Sequence, residues 1–297
     1  MNIQPRRWVR GFITAFGAPL DRFHRFAPSG HYYSPVPNRR DIVRDWSRLF
    51  KQEVPLDINL NEEGQMALLD SLKNYYADLP FFEERSPGLR YQYRNPAYGH
   101  TDAIFLYSML REFKPKRVVE IGCGYSSCVT LDTNERFLGG NVECTFVEPY
   151  PDLLYSLLKP GDAAKITMIP KRAQDVDLSL FSSLEANDIL FIDSTHVSKI
   201  GSDVNYLLFD VLPRLAPGVL IHFHDIFYPF EYPPAWVEEG RAWNEAYLLR
   251  AFLMGNETFQ IQLFSSFLHL YHASFFETHM PVCLKNPGGN LWLKKMR

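Results

Sequence analysis

One short stretch near the middle of the chain constrains the fold more than any other. An apolar run at residues 117–121, which includes Glu120, leads into Gly122-Cys123-Gly124 and then into Tyr125-Ser126-Ser127 at the start of a predicted helix. Glycines at such a strand-to-helix turn let the backbone approach a ligand closely, because a Cβ would prevent it. The third glycine of the dinucleotide fingerprint is replaced by Ser127, which argues against a dinucleotide. The hydroxyls of Ser126 and Ser127 suit helix capping or a ligand carboxylate.

The glycine turn opens a regular alternation of short apolar runs and helical stretches. This alternation predicts an α/β fold with a doubly wound, mostly parallel sheet. Residues 98–297 are predicted to form this domain, and residues 1–97 an N-terminal extension and helical lid. The predicted strands are 117–121, 143–147, 165–169, 188–192, 218–223, 259–268 and 291–294, and the predicted helices outside the alternation are 61–76, 101–113 and 240–254.

Composition narrows the class of partner. The chain has 31 Lys and Arg against 34 Asp and Glu, and this net charge of -3 gives no field to attract nucleic acid. The four cysteines show no C-x-x-C pair or zinc spacing, which favours a reduced, cytoplasmic protein. The apolar stretch near the N-terminus is too short and broken for a membrane span. We therefore expect a small-molecule substrate, no nucleic acid and no membrane, with a homodimer as a further hypothesis.

Acidic residues follow the second and third predicted strands. Glu148 comes directly after the second, where a carboxylate can accept hydrogen bonds from both hydroxyls of a ribose. Gln174-Asp175 follow the third strand, and Asp175 is predicted to lie beside an adenine amino group. A solvent-exposed acid is the alternative for Asp175.

Together these residues resemble the class I S-adenosylmethionine-dependent methyltransferases. The strand with Glu120-Ile121-Gly122-Cys123-Gly124 corresponds to the family's first motif, Glu148 to its ribose acid, and Asp193 follows the fourth strand. More narrowly, Asn95 to Tyr98 and the Ser126-Ser127 turn are similar to a bacterial small-molecule branch. The resemblance implies a Rossmann-like methyltransferase fold with seven strands in the order 3-2-1-4-5-7-6, the seventh antiparallel. It implies S-adenosylmethionine as cofactor, bound by Glu120, Gly122, Gly124, Ser126, Ser127, Glu148, Asp175 and Tyr98.

Histidines and aspartates follow two neighbouring predicted strands. Asp193 and His196 come after the fourth strand, and His224 and Asp225 end the fifth. Since the ends of parallel strands share one edge, these four side chains are predicted to converge. Two carboxylates with imidazoles suit a divalent metal: iron, zinc, manganese or magnesium. Resemblance to the catechol O-methyltransferase branch implies magnesium on Asp193 and Asp225. However, Ile226 replaces that branch's Asn, which favours a softer metal held by His196 or His224.

Two metal-free interpretations stay open. In one, His196 or His224 is a general base, oriented by a neighbouring aspartate such as Asp193, and removes the proton of an acceptor hydroxyl. In the other, the histidines are buried and bond strand-end carbonyls, which fits His222 best.

Aromatic residues follow the cluster directly. The loop at residues 227–236 is predicted to roof the acceptor pocket or to pack against the N-terminal arm. In the next helix, Arg241 and Glu245 have the spacing of a solvated ion pair.

The sequence thus predicts an S-adenosylmethionine-dependent methyltransferase for a small hydroxylated metabolite. We expect O-methylation assisted by a divalent metal or a histidine base. The alternative is an S-adenosylmethionine- or metal-binding enzyme of the same fold, of lyase or oxygenase type, because the His-x-His-Asp cluster is richer in metal ligands than methyl transfer requires.

Overall fold

The computed structural model describes residues 26–51 and 54–297. They form two compact units, one of residues up to Lys51 with Val237–Ala242, the other of the remaining described residues. The smaller unit contains α1 (Arg39–Arg44) and α2 (Trp46–Leu49), and the Asn38 side chain caps α1 by accepting from the Arg40 N–H. Residues 54–97 belong to the larger unit, and the predicted boundary between an N-terminal extension and the methyltransferase domain at residue 97 stays a prediction.

The larger unit is built on one seven-stranded sheet. Its order is β3-β2-β1-β4-β5-β7-β6, and β7 is antiparallel to both β5 and β6, which confirms the predicted fold class. The strands are β1 (Arg117–Ile121), β2 (Glu143–Val147), β3 (Thr167–Ile169), β4 (Ile189–Ile192), β5 (Leu220–His224), β6 (Phe259–Phe264) and β7 (Asn290–Lys295). The third strand is shorter than predicted, because Asp162–Ala164 form a 3-10 turn just before it.

Residues 54–297 also contain ten α-helices, numbered here in chain order. They are α3 (Glu62–Leu72), α4 (His100–Phe113), α5 (Tyr125–Phe137), α6 (Asp152–Leu157), α7 (Leu178–Ser182), α8 (Asp203–Tyr206), α9 (Pro234–Glu238), α10 (Glu245–Leu253), α11 (Ser265–Tyr271) and α12 (Ala273–His279). The predicted helix at 240–254 begins only at Glu245, a difference that matters for the site. Within the described residues, no helix combines the length and apolar character needed to cross a membrane.

The central strands are buried on both faces. All four residues of β4 are at most 1% exposed, which explains why this strand has a continuous apolar run instead of alternation. Helix α4 is buried from Thr101 to Leu110. Its first turn is tied to β7, because the Asp102 carboxylate accepts from the Gly289 N–H (2.9 Å) and from Asn290 Nδ2 (2.8 Å).

The strand register brings the predicted site residues to one edge. Ile121 of β1 pairs with Ile192 of β4, and Ile192 pairs with Phe223 of β5. The residues that follow these three positions are Gly122, Asp193 and His224. The carboxyl ends of the parallel strands are therefore where the chemistry has to be sought.

Candidate active site

A cavity of about 560 Å³ lies at the carboxyl ends of the parallel strands. Residues that follow four strands line it: Gly122 after β1, Glu148 after β2, Gln174 after β3, and Asp193 with Ser194 and Thr195 after β4. This is the crevice in which a doubly wound sheet binds its ligand. Gly122 of the glycine turn thus lines the cavity, while cofactor binding by Gly122 and Gly124 stays a prediction.

The two glycines of the turn have different structural roles. Gly122 has φ +79°, and a Cβ there would overlap the carbonyl oxygen of Asp193. Gly124 is extended, and its N–H donates to Ser127 Oγ (3.0 Å) at the start of α5. The first glycine thus allows β1 and β4 to end side by side at the cavity.

Glu120 is fully buried beneath the turn. Its Oε1 accepts hydrogen bonds from the hydroxyls of Ser126 and Ser127, so both serines hold Glu120 instead of presenting their protons to a ligand carboxylate. Its Oε2 has no hydrogen-bond partner among the described residues. Burial raises the pKa of Glu120 to about 8, against the effect of the two hydroxyls. A buried, unpartnered carboxylate oxygen is suited to a cationic group of a ligand.

Glu148 and Gln174 line the cavity beyond the ends of β2 and β3. Glu148 Oε1 accepts from the Tyr150 N–H (2.8 Å), which fixes the carboxylate at the wall. Gln174 donates through Nε2 to the Gly201 carbonyl (2.9 Å), while its buried Oε1 lacks a partner among the described residues. Ribose hydroxyls and an adenine amino group are donors that fit these acceptors, so the residues present fit S-adenosylmethionine.

Asp175, predicted beside adenine, does not line this cavity. A 3-10 turn at Ala173–Asp175 directs its carboxylate back to Arg172, with oxygen–nitrogen distances of 2.7 and 2.9 Å. Its neighbour Gln174 lines the cavity wall instead, and contact of either residue with adenine stays a prediction.

Tyr98 is buried beside the cluster rather than exposed in the cavity. Its ring centroid lies 5.2 Å from that of His224, and its hydroxyl has no partner among the described residues. Burial raises the pKa of Tyr98 well above its usual value. Contact between Tyr98 and the cofactor stays a prediction.

The four predicted rim residues do come together. His196 Nε2 lies 3.3 Å from Asp193 Oδ1 and 3.7 Å from Asp225 Oδ2. His224 Nε2 lies 3.5 Å from Asp225 Oδ1. The Asp193 side chain is 37% exposed while that of His196 is 6% exposed, so Asp193 stands between the cavity and the imidazole.

A fifth member, Glu245, was not predicted as a site residue. Its Oε2 lies 2.8 Å from His196 Nδ1, and its Oε1 accepts from Ser194 Oγ (2.9 Å). The predicted solvated pair with Arg241 is wrong, since Glu245 is 1% exposed and Arg241 contacts Glu239 at 2.9 Å. The only sequence signal for Glu245 was an acid at the start of a helix.

The charges of the cluster are coupled. Burial alone would lower the pKa of His196, but hydrogen bonds to Asp193 and Glu245 outweigh it and raise the pKa to about 10. For His224, the charges of Asp225 and Asp193 likewise overcome burial and raise the pKa. Burial opposes ionisation of Asp193, yet the two imidazoles lower its pKa. The pKa of Asp225 is raised, because burial dominates there.

Backbone strain marks the same two strand ends. His196 and Asp225 both have φ +59°, a left-handed conformation that is uncommon for residues other than glycine. Such a conformation costs about 1–3 kcal/mol and persists only where the surrounding structure fixes it. Strain at both rim positions supports a functional role for this cluster.

The predicted metal site is not supported. Across residues 26–51 and 54–297, no group of three or more His, Cys, Asp or Glu side chains is arranged to hold a metal ion. Instead the rim residues engage one another in pairs. His196 has a carboxylate on each ring nitrogen, which favours the imidazolium, and an imidazolium has no lone pair to offer a metal. Asp193, His196, His224 and Asp225 therefore do not fit a metal site as they stand.

His222 lies deeper in β5. Its ring stacks on Phe191 with centroids 4.0 Å apart, and neither ring nitrogen has a partner in the described part of the chain. Burial lowers the pKa of His222 well below its usual value, so the ring is neutral. The expectation that it bonds strand-end carbonyls is wrong.

Aromatic rings cover the imidazole of His196. The Trp243 ring lies 4.3 Å from it, centroid to centroid, and the Tyr232 and Trp236 rings meet Trp243 edge-on. The Tyr232 hydroxyl accepts from the Ala246 N–H (3.0 Å), which anchors the loop at residues 227–236 to α10. These rings shield His196 from water.

The same part of the chain is similar to known proteins. A family model described as a methyltransferase domain matches residues 119–226. An uncharacterized protein from Archaeoglobus fulgidus is 32% identical over 189 residues, which are 61% of this chain and 84% of that protein.

Solved structures with similar chains include two methyltransferases. One is the O-methyltransferase TomG from Streptomyces achromogenes, involved in tomaymycin synthesis and solved in complex with SAM, with 15% identity, a TM-score of 0.44, and coverage of 86% of this chain and 96% of that chain. The other is the SAH-bound methyltransferase PaMTH1 from Podospora anserina, with 15% identity, a TM-score of 0.42, and coverage of 92% and 99%.

The family assignment combines three observations. The archaeal relative is sufficiently similar over most of its length to be a member of the same family. The family model covers β1 to β5, the part of the sheet that forms the cavity. The sheet has the order that the resemblance implied. The chain therefore contains a methyltransferase domain and shares a family with the archaeal protein.

Proposed function

We propose that this methyltransferase transfers the methyl group to a hydroxyl oxygen of a small molecule, with His196 as the general base. The observation that carries the proposal is the chain of contacts Glu245–His196–Asp193, which begins in the buried interior and ends at the cavity wall. Transfer to an oxygen requires removal of the hydroxyl proton, and an imidazole held between carboxylates is suited to that step.

Different residues are proposed to bind different parts of the cofactor. S-adenosylmethionine, when bound, supplies an electrophilic methyl group. Glu148 is proposed to accept from the ribose hydroxyls and Gln174 Oε1 from the adenine amino group. Glu120, with its unpartnered Oε2, is proposed to accept from the cofactor's ammonium group, whose positive charge would lower the raised pKa of Glu120 and favour the carboxylate. These contacts would place the reacting end of the cofactor near Asp193.

Asp193 and His196 are proposed to act in sequence. Asp193 accepts a hydrogen bond from the acceptor hydroxyl and orients it, because its carboxylate is the member of the cluster exposed to the cavity. The hydroxyl proton would then pass through Asp193 to His196 Nε2, 3.3 Å away, while the oxygen–carbon bond would form and the carbon–sulfur bond of the methyl donor would break, leaving a neutral thioether. The imidazole is protonated at neutral pH in the free protein, given its pKa of about 10. A bound cation beside Asp193 opposes a second positive charge and would lower that pKa, which frees Nε2 to act as a base.

The test is methyl transfer from isotopically labelled S-adenosylmethionine to matched panels of phenols, catechols, amines and thiols, with and without chelator. We expect label in hydroxyl acceptors, equal rates with chelator, and a loss of at least about 100-fold in H196Q. Label only in amines or thiols would contradict the proposal. Consumption of the cofactor without a methylated product would favour the lyase or oxygenase alternative, and loss of activity with chelator would restore the metal hypothesis.

A further inference from the structure

Glu245 contacts His196 through both its side chain and its backbone. Its carboxylate contacts the ring at Nδ1, and its backbone N–H donates to the His196 carbonyl (3.2 Å). The preceding residue, Asn244, adds a hydrogen bond from its own N–H to the same carbonyl (3.0 Å). The first turn of α10 thus grips both the backbone and the side chain of one residue 49 positions away.

Ser194 closes this arrangement. Its hydroxyl donates to Glu245 Oε1 (2.9 Å) and accepts from the His196 N–H (2.9 Å). Each carboxylate oxygen of Glu245 therefore has a single donor, one from the ring and one from the serine. A buried carboxylate with both oxygens assigned can hold a side chain in one orientation.

We propose that Glu245 is the positioning residue of the reaction: it fixes the His196 ring so that Nε2 points toward Asp193 and the cavity. The inference rests on the proposed role of His196 as base. Without a partner on Nδ1, the ring could turn about its χ2 angle, which has a broad energy profile, and present the wrong nitrogen. The left-handed backbone conformation of His196 determines the direction in which its side chain leaves the chain. Hydrogen bonds from the start of α10 to the His196 carbonyl hold that conformation.

Substitution of Glu245 by glutamine distinguishes a role in orienting His196 from a role in filling the buried space. It has the same shape, but it has only one acceptor oxygen for the two donors, His196 Nδ1–H and the Ser194 hydroxyl. Ser194→Ala removes the second donor and leaves the carboxylate in place. Glu257→Gln is the matched control, since the Glu257 side chain is 81% exposed and pairs with Arg297 at the surface (3.2 Å).

The experiment measures turnover, cofactor affinity, melting temperature and the ¹⁵N-edited NMR signal of the His196 Nδ1–H, assigned by its loss in H196Q. We expect E245Q to lower kcat at least tenfold, to change the Kd for S-adenosylhomocysteine less than threefold, and to shift or broaden the Nδ1–H signal. S194A should lower kcat about threefold and keep the signal, and E257Q should change nothing.

Two results would overturn the inference. One is an E245Q protein with unchanged kcat and signal. The other is a parallel loss of kcat, cofactor affinity and melting temperature in both E245Q and S194A, as a purely structural role would give. If the wild type methylates no hydroxyl acceptor, the proposed function fails, and the NMR signal alone decides whether Glu245 holds the ring: its persistence unchanged in E245Q would refute the positioning role.

Discussion

At the scale of single residues, the site is governed by which buried polar atoms have partners. Glu120 Oε2 and Gln174 Oε1 lack one in the described part of the chain; Gln174 lines the cavity, and Glu120 is buried at the end of β1 beside it. Leaving a buried acceptor unsatisfied costs about 1–3 kcal/mol, so a protein retains it where a ligand supplies the donor. Three predictions follow from individual side chains.

The first prediction concerns Glu120 and pH. Its folded-state pKa of about 8 lies above the ordinary 4.5, so the folded protein favours the neutral acid. Its contribution to stability is fully present below pH 4.5 and is lost as pH rises through about 8. Glu120→Gln removes this titration. We expect the melting temperature of the wild type to fall relative to that of E120Q by at least about 3 °C between pH 5 and 9. Parallel curves would show that Glu120 is ionised in the free protein.

The second prediction compares two neighbours, Gln174 and Asp175. Only Gln174 lines the cavity, while Asp175 is paired with Arg172 at the surface. Gln174→Ala should weaken S-adenosylhomocysteine binding about 3- to 10-fold, the value of one hydrogen bond. Asp175→Asn should leave the Kd within about twofold, because exposed ion pairs contribute little. Calorimetry on both variants decides, and a larger effect at Asp175 would contradict the placement.

The third prediction is the pH dependence of turnover. His196 is flanked by Asp193, Asp225 and Glu245, with His224 opposing them, and the net effect raises its pKa to about 10. Because the base must be neutral, kcat should rise with pH, with an apparent pKa between 6.5 and 10 once a cation is bound. Glu245→Gln removes one negative charge and should lower that apparent pKa. A rate that is flat from pH 6 to 10 would exclude His196 as the base.

At the scale of elements, the ends of β1 and β4 approach so closely that one glycine is required. Gly122 and Gly140 both have positive φ, but an added Cβ meets the Asp193 carbonyl only at Gly122 and finds open space at Gly140. Substitution by alanine should therefore destabilise the protein by different amounts at these two glycines.

Gly122→Ala should destabilise the protein by at least about 2 kcal/mol more than Gly140→Ala, because the left-handed strain is common to both and cancels. Urea unfolding measures this difference. Equal costs would show that β1 can move away from β4, and would remove the physical reason for the glycine at the cavity wall.

The same scale explains what the sequence could and could not predict. Buried parallel strands need continuous apolar runs, so β1, β2 and β4 were placed within a residue, and the rim residues Asp193 and His224 followed from the register. Glu245 could not be found, because it reaches His196 only through tertiary packing of α10. That Gln174 and not Asp175 lines the cavity could not be predicted either, because a single 3-10 turn decides which of these two adjacent side chains faces it.

At the scale of the whole molecule, side-chain hydrogen bonds fix two helices of the larger unit to the central sheet. Helix α4 is fixed to β7 through Asp102, and α10 is fixed to the end of β4 through Glu245. All four cysteines are free thiols. A homodimer and a cytoplasmic location stay predictions.

Calorimetric titration of the protein with S-adenosylmethionine and S-adenosylhomocysteine, repeated after treatment with a chelator, shows most directly whether this cavity binds the cofactor. We expect one cofactor bound per chain, with the same Kd before and after chelation and a weaker Kd in Gln174→Ala. No heat of binding for either compound, under either condition, would contradict the assignment of this cavity to the cofactor.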